Sequence, residues 1–220
     1  MDNAASRSVT VHRGRLSLPA LLRLPERARG LVIFAHGSGS GRLSPRNNHV
    51  ADALAQAGFA SLLLDLLTPS EEADRRNVFD IELLASRLLA AIEWAREQSR
   101  LQQLPIGLFG ASTGAGAALV AAAAARHVIW AVVSRGGRPD LAGTRLHEVK
   151  APTLLIVGGN DGPVIDLNEA ALTELHCPKS LLIVPGAGHL FEEPGTLDQV
   201  IAEAIRWYGS AFPQAEGDVA

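Results

Sequence analysis

The sequence of 220 residues has little of several residue types, and each shortage argues against a class of protein. It holds a single cysteine, Cys177, so an internal disulfide is impossible and a reducing compartment is favoured. Its 20 lysines and arginines stand against 23 aspartates and glutamates, which leaves no basic excess for a nucleic-acid partner. The apolar stretch 115–125 is too short to span a bilayer, and the N-terminus lacks the apolar run of a secretion signal. These shortages favour a cytoplasmic protein with neither a membrane nor a nucleic-acid partner.

What the chain does contain is an alternation of short apolar runs with helix-like stretches. Such runs, apolar on both faces, are typical of buried parallel strands. After a hairpin with strands at Val9–Val11 and Leu16–Leu24, the strand-like runs are Leu31–Ala35, Ala60–Leu64, Ile106–Phe109, Val128–Val133, Thr153–Val157 and Leu181–Val184. The predicted helices are His49–Ala57, Phe79–Gln98, Thr113–Ala125, Asp166–Leu175 and Leu197–Tyr208.

This pattern predicts an α/β fold with one doubly wound, mostly parallel sheet of about eight strands flanked by helices. No repeat or linker divides the chain, so residues 1–220 are expected to form a single domain. Ligands of such sheets bind beyond the carboxyl ends of the strands. The loops that follow the strands are therefore the candidate site.

One such loop carries a candidate nucleophile. The strand Ile106–Phe109 runs into Gly-Ala-Ser-Thr-Gly, residues 110–114, and then into an alanine-rich helix. A G-x-S-x-G sequence between strand and helix projects its serine from a sharp turn, where larger neighbours than glycine would clash. Ser112 is therefore the predicted nucleophile, and the alternative is that its hydroxyl only caps the helix.

A serine hydroxyl needs a base to take its proton, and the base needs an acid to orient it. His189 follows the last strand, where the base belongs when the order along the chain is serine, acid, histidine. Asp161 follows the penultimate strand and is the predicted acid. Two rivals stay open: Asp166, which is more simply a helix cap, and Asp65, which precedes the serine in the chain.

The loop 36–41, His-Gly-Ser-Gly-Ser-Gly, follows the strand Leu31–Ala35. Its glycines allow the backbone to approach a substrate oxygen closely. The backbone amides of Ser38, give or take one position, and Thr113 are the predicted donors of an oxyanion hole. His36 is expected to shape the loop through its ring nitrogens. The loop has neither the lysine of a P-loop nor G-x-G-x-x-G spacing, which argues against a nucleotide site.

Several side chains near these loops are candidate substrate contacts. Guanidinium groups can pair with a substrate carboxylate or phosphate, or they can tie loops together. Arg135 lies nearest to a strand end and is the first candidate; the others are Arg42, Arg46 and Arg138. Phe191 is a candidate wall of the pocket, while Trp130 is expected in the core.

The motifs at residues 36–41, 110–114, 158–161 (GGND) and 186–195 (GAGHLFEEPG) resemble the α/β-hydrolase superfamily, and within it the small, capless dienelactone hydrolase-like proteins. Dienelactone hydrolases proper use a cysteine nucleophile where this chain has Ser112. The resemblance therefore implies a serine hydrolase that cleaves small carboxylic esters through a Ser-His-Asp triad and an acyl-enzyme. It implies no metal and no organic cofactor.

Alternatives remain within and outside this class. A lactone or dienelactone hydrolase and a thioesterase use the same triad, and the fold can also serve as a catalytically idle ligand-binding protein. A small-molecule ester is the expected partner, and a homodimer stays open.

Overall fold

The computed structural model describes residues 5–212, so residues 1–4 and 213–220 of the predicted domain lie outside it. Its strands are β1 Arg7–Arg13, β2 Leu16–Arg23, β3 Leu31–Ala35, β4 Ala60–Leu64, β5 Ile106–Ala111, β6 Ile129–Arg135, β7 Thr153–Gly158 and β8 Lys179–Val184. They form one sheet in the order β1-β2-β4-β3-β5-β6-β7-β8. The pairs β1–β2 and β2–β4 are antiparallel, and the other neighbouring pairs are parallel. The predicted eight-stranded, mostly parallel sheet is confirmed.

Helices cover both faces of the sheet. They are α1 Pro45–Gln56, α2 Pro69–Glu72, α3 Arg75–Val78, α4 Ile81–Glu97, α5 Thr113–Ala124, α6 Gly162–Glu174 and α7 Thr196–Ala211, with a 3₁₀ segment at Pro139–Glu148. One apolar core lies between the sheet and the pair α1 and α7, and the other lies under α4, α5 and α6. The connection from β6 to β7 holds only the 3₁₀ segment, so no cap domain is inserted there. No helix within residues 5–212 has the length and apolar character needed to cross a bilayer.

The central and outer strands differ in burial as their sequences predict. Every residue of β3, β4, β5 and β7 is buried, because helices cover both faces of these strands. In the outer strands β1 and β8 most residues are exposed or partly exposed, and each strand has one buried residue. The carboxyl ends of the buried strands therefore meet at one rigid edge, and the candidate loops start there.

Some local predictions were wrong. Helix α6 begins at Gly162 instead of Asp166, since Pro163 at the start of a helix presets the required φ. Helix α1 begins at Pro45, four residues before the predicted start, for the same reason and with Ser44 as its cap. Trp130 is 42% exposed and is not a core residue, because it lies at the amino end of β6, away from the covering helices.

Candidate active site

Ser112 occupies a strained turn between β5 and α5. Its φ of 50° and ψ of −123° lie outside the regions that L-residues favour. A Cβ on Gly110 would lie 2.4 Å from the Cα of Ala115, and one on Gly114 would lie 2.2 Å from the carbonyl oxygen of Ala35. The steric requirement for glycine on both sides of the serine is therefore met. The Ser112 side chain makes no capping hydrogen bond to α5, so the capping alternative does not hold.

A chain of hydrogen bonds joins Ser112 to the two other predicted residues. His189 Nε2 lies 3.3 Å from Ser112 Oγ, and His189 Nδ1 lies 2.7 Å from Asp161 Oδ2. The Asp161 side chain is 14% exposed and that of His189 36% exposed. Three residues that are 28 to 77 positions apart in sequence thus meet at the carboxyl edge of the sheet. A neutral His189 that donates from Nδ1 to Asp161 presents a free Nε2 lone pair to the serine hydroxyl.

The rival residues have other partners. Asp166 is exposed within α6 and makes no hydrogen bond to His189. Asp65 forms an ion pair with the Arg42 guanidinium and also accepts a hydrogen bond from the Arg42 backbone amide. His36 accepts from the Leu66 amide at Nε2, which leaves Nδ1 to donate to the Gly37 carbonyl, so it holds the loop as predicted. Asp65 and His36 therefore support the loop 36–41 from behind.

This loop approaches the serine closely. A Cβ on Gly37 would lie 2.9 Å from the Cβ of Ser112, so a larger residue would push the loop away. Ser38 lines the same cavity as Ser112. The Thr113 amide belongs to the first residue of α5, where an N–H has no partner within the helix. The loop that carries the Ser38 amide and the helix start that carries the Thr113 amide therefore both border Ser112.

A cavity of about 540 Å³ opens in front of Ser112 and His189. Its walls come from the loop 36–41, the start of α1 and the ends of β5 and β6. It is lined by Gly37, Ser38, Gly39, Ser40, Gly41, Ser44, Pro45, Arg46, Asn47, Ala111, Ser112, Arg135, His189 and Leu190. Among these described residues no carboxylate occurs, and Leu190 is the single large apolar side chain. Sequence reasoning missed Ser44 and Asn47, although Ser-Pro at residues 44 and 45 is a helix-start signal.

The four candidate arginines divide into two groups. Arg42 pairs with Asp65, Arg138 with Asp140, and Arg46 with Glu192. Arg135 is 7% exposed, and its Nε and Nη1 have no hydrogen-bond partner among the described residues. Burial, and then repulsion from Arg46, lowers the pKa of Arg135 to about 10, so the guanidinium remains charged at neutral pH.

Phe191 does not line the cavity. It is 2% exposed and belongs to the core under α1 and α7. Its φ of 55° turns the chain directly after Leu190, so the leucine faces outward and the phenylalanine inward. The structure therefore places Phe191 as an anchor beneath the His189 loop rather than as the pocket wall that the sequence predicted.

The model of the dienelactone hydrolase family matches residues 18–212, which include the whole sheet except β1 and part of β2. The chain belongs to the dienelactone hydrolase family. The crystal structure of a dienelactone hydrolase from Anabaena variabilis is similar, with 53% identity and a TM-score of 0.93 over 96% of this chain and all of that one. An α/β serine hydrolase without a lid from Xanthomonas campestris shares the fold, with a TM-score of 0.77 at 21% identity over 96% of each chain.

Longer relatives carry a different name. Two strains of Mycobacterium tuberculosis each have a putative phosphoribosyl transferase that is 58% identical over 91% of this chain. The match covers 45% of each relative, so the chain spans about half the length of these curated relatives.

No group of three or more His, Cys, Asp or Glu side chains within residues 5–212 is arranged to hold a metal ion. The free thiol of Cys177 is buried against Thr153, 3.7 Å from its hydroxyl, and lies outside the cavity lining. Burial raises the pKa of this thiol. The cysteine is therefore a packing residue rather than a second nucleophile.

Proposed function

We propose that the protein is a serine hydrolase that cleaves small, polar carboxylic esters, with Ser112 as nucleophile, His189 as base and Asp161 as the orienting acid. The observation that carries this proposal is the hydrogen-bond chain from Ser112 through His189 to Asp161 on a turn whose strain points the serine into the cavity. A packed fold holds a strained turn of this kind mostly where function requires it.

The reaction proceeds in two halves. His189 takes the proton of the Ser112 hydroxyl as its oxygen attacks the ester carbonyl, and then gives that proton to the departing alcohol. Water attacks the acyl carbonyl as His189 takes one of its protons, and His189 then gives that proton to the Ser112 oxygen as the carboxylic acid departs. Asp161 holds the imidazole in the tautomer that accepts at Nε2 and stabilises the cation formed in each half.

The tetrahedral intermediates carry a negative oxygen, which the amides of Ser38 and Thr113 stabilise. The N-terminus of α5 points at the same position and favours the developing charge. Removal of one such donor in other hydrolases costs on the order of 10²–10³ in kcat. Both donors are backbone amides, so no particular side chain is needed at Ser38 or Thr113. The sequence shows this site instead through the glycines that shape the two loops.

The cavity favours small, polar substrates. Hydroxyls, glycines and two guanidinium groups make up most of its walls, and one leucine provides the main apolar surface. A long acyl chain would leave these polar groups without water or partners, at a cost in binding free energy. Short acyl groups and polar alcohols fit the lining better.

Hydrolysis of p-nitrophenyl esters from acetate to laurate tests the proposal. We expect activity that peaks at short chains and falls at least ~10⁴-fold in S112A, because the remaining site has no nucleophile. S210A, which removes an exposed hydroxyl on α7, is the matched control and keeps wild-type activity. Labelling of the wild type by a fluorophosphonate and its absence in S112A would separate an enzyme from an idle binding protein. Equal activity of S112A and the wild type would overturn the proposal.

A lactone is the second candidate substrate. The 53% identical structure from Anabaena variabilis bears the name dienelactone hydrolase, and a lactone is an internal ester open to the same attack. A higher kcat/KM on a small lactone than on p-nitrophenyl acetate would favour this candidate. The transferase name of the longer relatives describes proteins of about twice the matched length, and it is not carried over to this chain.

A further inference from the structure

Arg135 is a charged side chain that the proposed reaction leaves unused. It follows the buried core of β6 and lies beside the nucleophile, since the Ser112 amide donates to the Arg135 carbonyl at 3.3 Å. On its other side is the loop of the base: a Cβ on Gly136 would lie 2.9 Å from the carbonyl oxygen of His189. Arg135 therefore lies between the strand of the nucleophile and the loop of the base, and it lines the cavity.

A buried cation without a partner opposes folding. Its Nε and Nη1 are buried and make no hydrogen bond within residues 5–212. The charged group that acts most on it is Arg46, a second cation that lines the same cavity. Buried charges in proteins are otherwise paired or ligated. An anion bound in the cavity would give this cation a partner.

The wall opposite Arg135 is also prepared for an anion. Helix α1, 12 residues long, starts there with Ser44 as its cap, and it has no acidic residue in its first turn. Arg46 and Asn47 of that first turn line the cavity. Pro45 has no N–H and the Asn47 amide donates to Ser44 Oγ, so this helix end offers an anion the Arg46 amide and a partial positive charge. One Arg46 nitrogen donates to exposed Glu192 at 2.7 Å, while its buried Nε has no partner among the described residues.

The number of these donors and their total charge fit phosphate better than carboxylate. Two guanidinium groups and a helix terminus surround the space, and the hydroxyls of Ser38, Ser40 and Ser44 line it as well. A carboxylate presents two oxygens in one plane, whereas a phosphate monoester presents three oxygens and a charge close to −2. Two cations on different walls match that charge and shape.

We propose that Arg135, Arg46 and the N-terminus of α1 bind the phosphate group of the substrate, so that the physiological ester is a small phosphorylated one. This inference rests on the proposed ester hydrolysis and names its substrate class. With the phosphate held between β6 and α1, the ester carbonyl of a small substrate reaches Ser112 in the same cavity.

Binding in the absence of turnover tests the subsite by itself. Phenyl phosphate is titrated calorimetrically into S112A, into S112A carrying R135Q or R46Q, and into S112A carrying R138Q. We expect R135Q and R46Q each to weaken binding at least about 10-fold, because each leaves the anion short of a charged donor. The matched control R138Q removes an arginine three residues farther along the chain that already pairs with Asp140, and it leaves the affinity unchanged.

Benzoate, a carboxylate of similar size, is the competing ligand. Weaker binding of benzoate than of phenyl phosphate supports the proposal, and equal or tighter binding overturns the choice of phosphate. Unchanged affinity in folded R135Q and R46Q, verified by circular dichroism, overturns the subsite. If R135Q does not fold, the affinity of R46Q for phenyl phosphate alone decides whether the subsite exists.

Turnover supplies the second readout. The wild type is expected to cleave 1-acetylglycerol 3-phosphate with at least ~10-fold higher kcat/KM than 1-acetylglycerol, and R135Q is expected to reduce that ratio. Phosphate binding without cleavage of any ester would overturn the proposed function alone. Ester cleavage without phosphate binding or preference would overturn this inference alone.

Discussion

Two polar arrangements lie side by side at the carboxyl edge of the sheet, and they differ in how their charges are satisfied. Ser112, His189 and Asp161 form a closed chain in which each group has a partner. Arg135, at the end of the strand between those that carry Ser112 and Asp161, is more buried than these three residues and has a guanidinium without a counter-ion in the described chain. A satisfied network holds its geometry before substrate arrives, while an unsatisfied cation depends on its ligand.

The comparison separates two demands on one cavity. Chemistry on a neutral ester carbonyl needs a preorganised base and preorganised oxyanion donors, and in the proposed reaction backbone and side-chain groups of this chain supply them. Recognition of an anion needs a positive charge that no carboxylate of the protein neutralises. Such a charge lowers the stability of the protein when no anion is bound.

The largest expected effect concerns the acid of the hydrogen-bond chain. Asp161→Asn should lower kcat on p-nitrophenyl acetate by on the order of 10³–10⁴-fold, because an amide favours the wrong histidine tautomer. Asp166→Asn is the matched control, an exposed aspartate one turn farther along α6, and we expect it to match the wild type. If Asp166→Asn lost activity and Asp161→Asn kept it, the assignment of the acid would be wrong.

A smaller effect is expected from the turn that carries the serine. Gly114→Ala would place a Cβ 2.2 Å from the Ala35 carbonyl oxygen and 2.5 Å from that of His36, both backbone atoms that cannot move easily. We expect a loss of about 2–4 kcal/mol in the free energy of unfolding, measured in urea. Gly209→Ala, on α7, adds a Cβ that meets no described atom within 4 Å and should instead raise the free energy of unfolding by about 0.5–1 kcal/mol. Equal stability of the two variants would show that the close packing of the turn is not required.

The smallest of the three effects has the opposite sign. Arg135→Met removes a buried cation whose pKa is lowered to about 10 and keeps an apolar stem of similar length. A base whose pKa is lowered on folding destabilises the native state below that pKa, so we expect Arg135→Met to raise the free energy of unfolding by on the order of 1–3 kcal/mol.

The pH dependence follows from the same shift. The increase in the free energy of unfolding caused by Arg135→Met should be constant between pH 6 and 9, where the guanidinium stays charged. It should decline only above pH 10, because there the native state of the wild type loses the Arg135 proton before the unfolded state does. Arg138→Met, which breaks a half-exposed pair with Asp140, is the control, and its effect should stay within about 1 kcal/mol. A stability loss in Arg135→Met as large as that of Gly114→Ala would mean that Arg135 serves packing rather than an anion.

The sequence predicted the hydrogen-bonded group of Ser112, His189 and Asp161 better than it predicted the unpaired Arg135. Strands β3 and β4 begin and end where the sequence places them, since each is a short, mostly apolar run that stops at a polar residue, His36 or Asp65. The order of serine, acid and base along the chain follows from the succession of strands, because each strand end reaches the same edge. The starts of α1 and α6 were missed where a proline sets the first turn before any apolar period begins.

Side-chain direction was harder to predict. Phe191 and Leu190 are adjacent and both apolar, and only a left-handed φ at Phe191 decides that one packs in the core and the other faces the cavity. Trp130 has a large apolar side chain of the kind found in cores, yet it is exposed because it lies at a strand end that no helix of the described chain covers. Local sequence does not record which neighbours cover a residue.

By itself, the sequence determined the alternating α/β fold and the residues that can act as nucleophile, base and acid, because strand period, glycine sterics and chain order are local or sequential properties. Only the tertiary structure decided which arginine is left without a partner. Arg42, Arg46 and Arg138 find carboxylates that lie on other segments or in a neighbouring turn, and Arg135 finds none among the described residues because its strand end is enclosed by the nucleophile and the base loop. Whether a charge is paired depends on distances across the fold, and those distances arise only when the sheet brings its loops together.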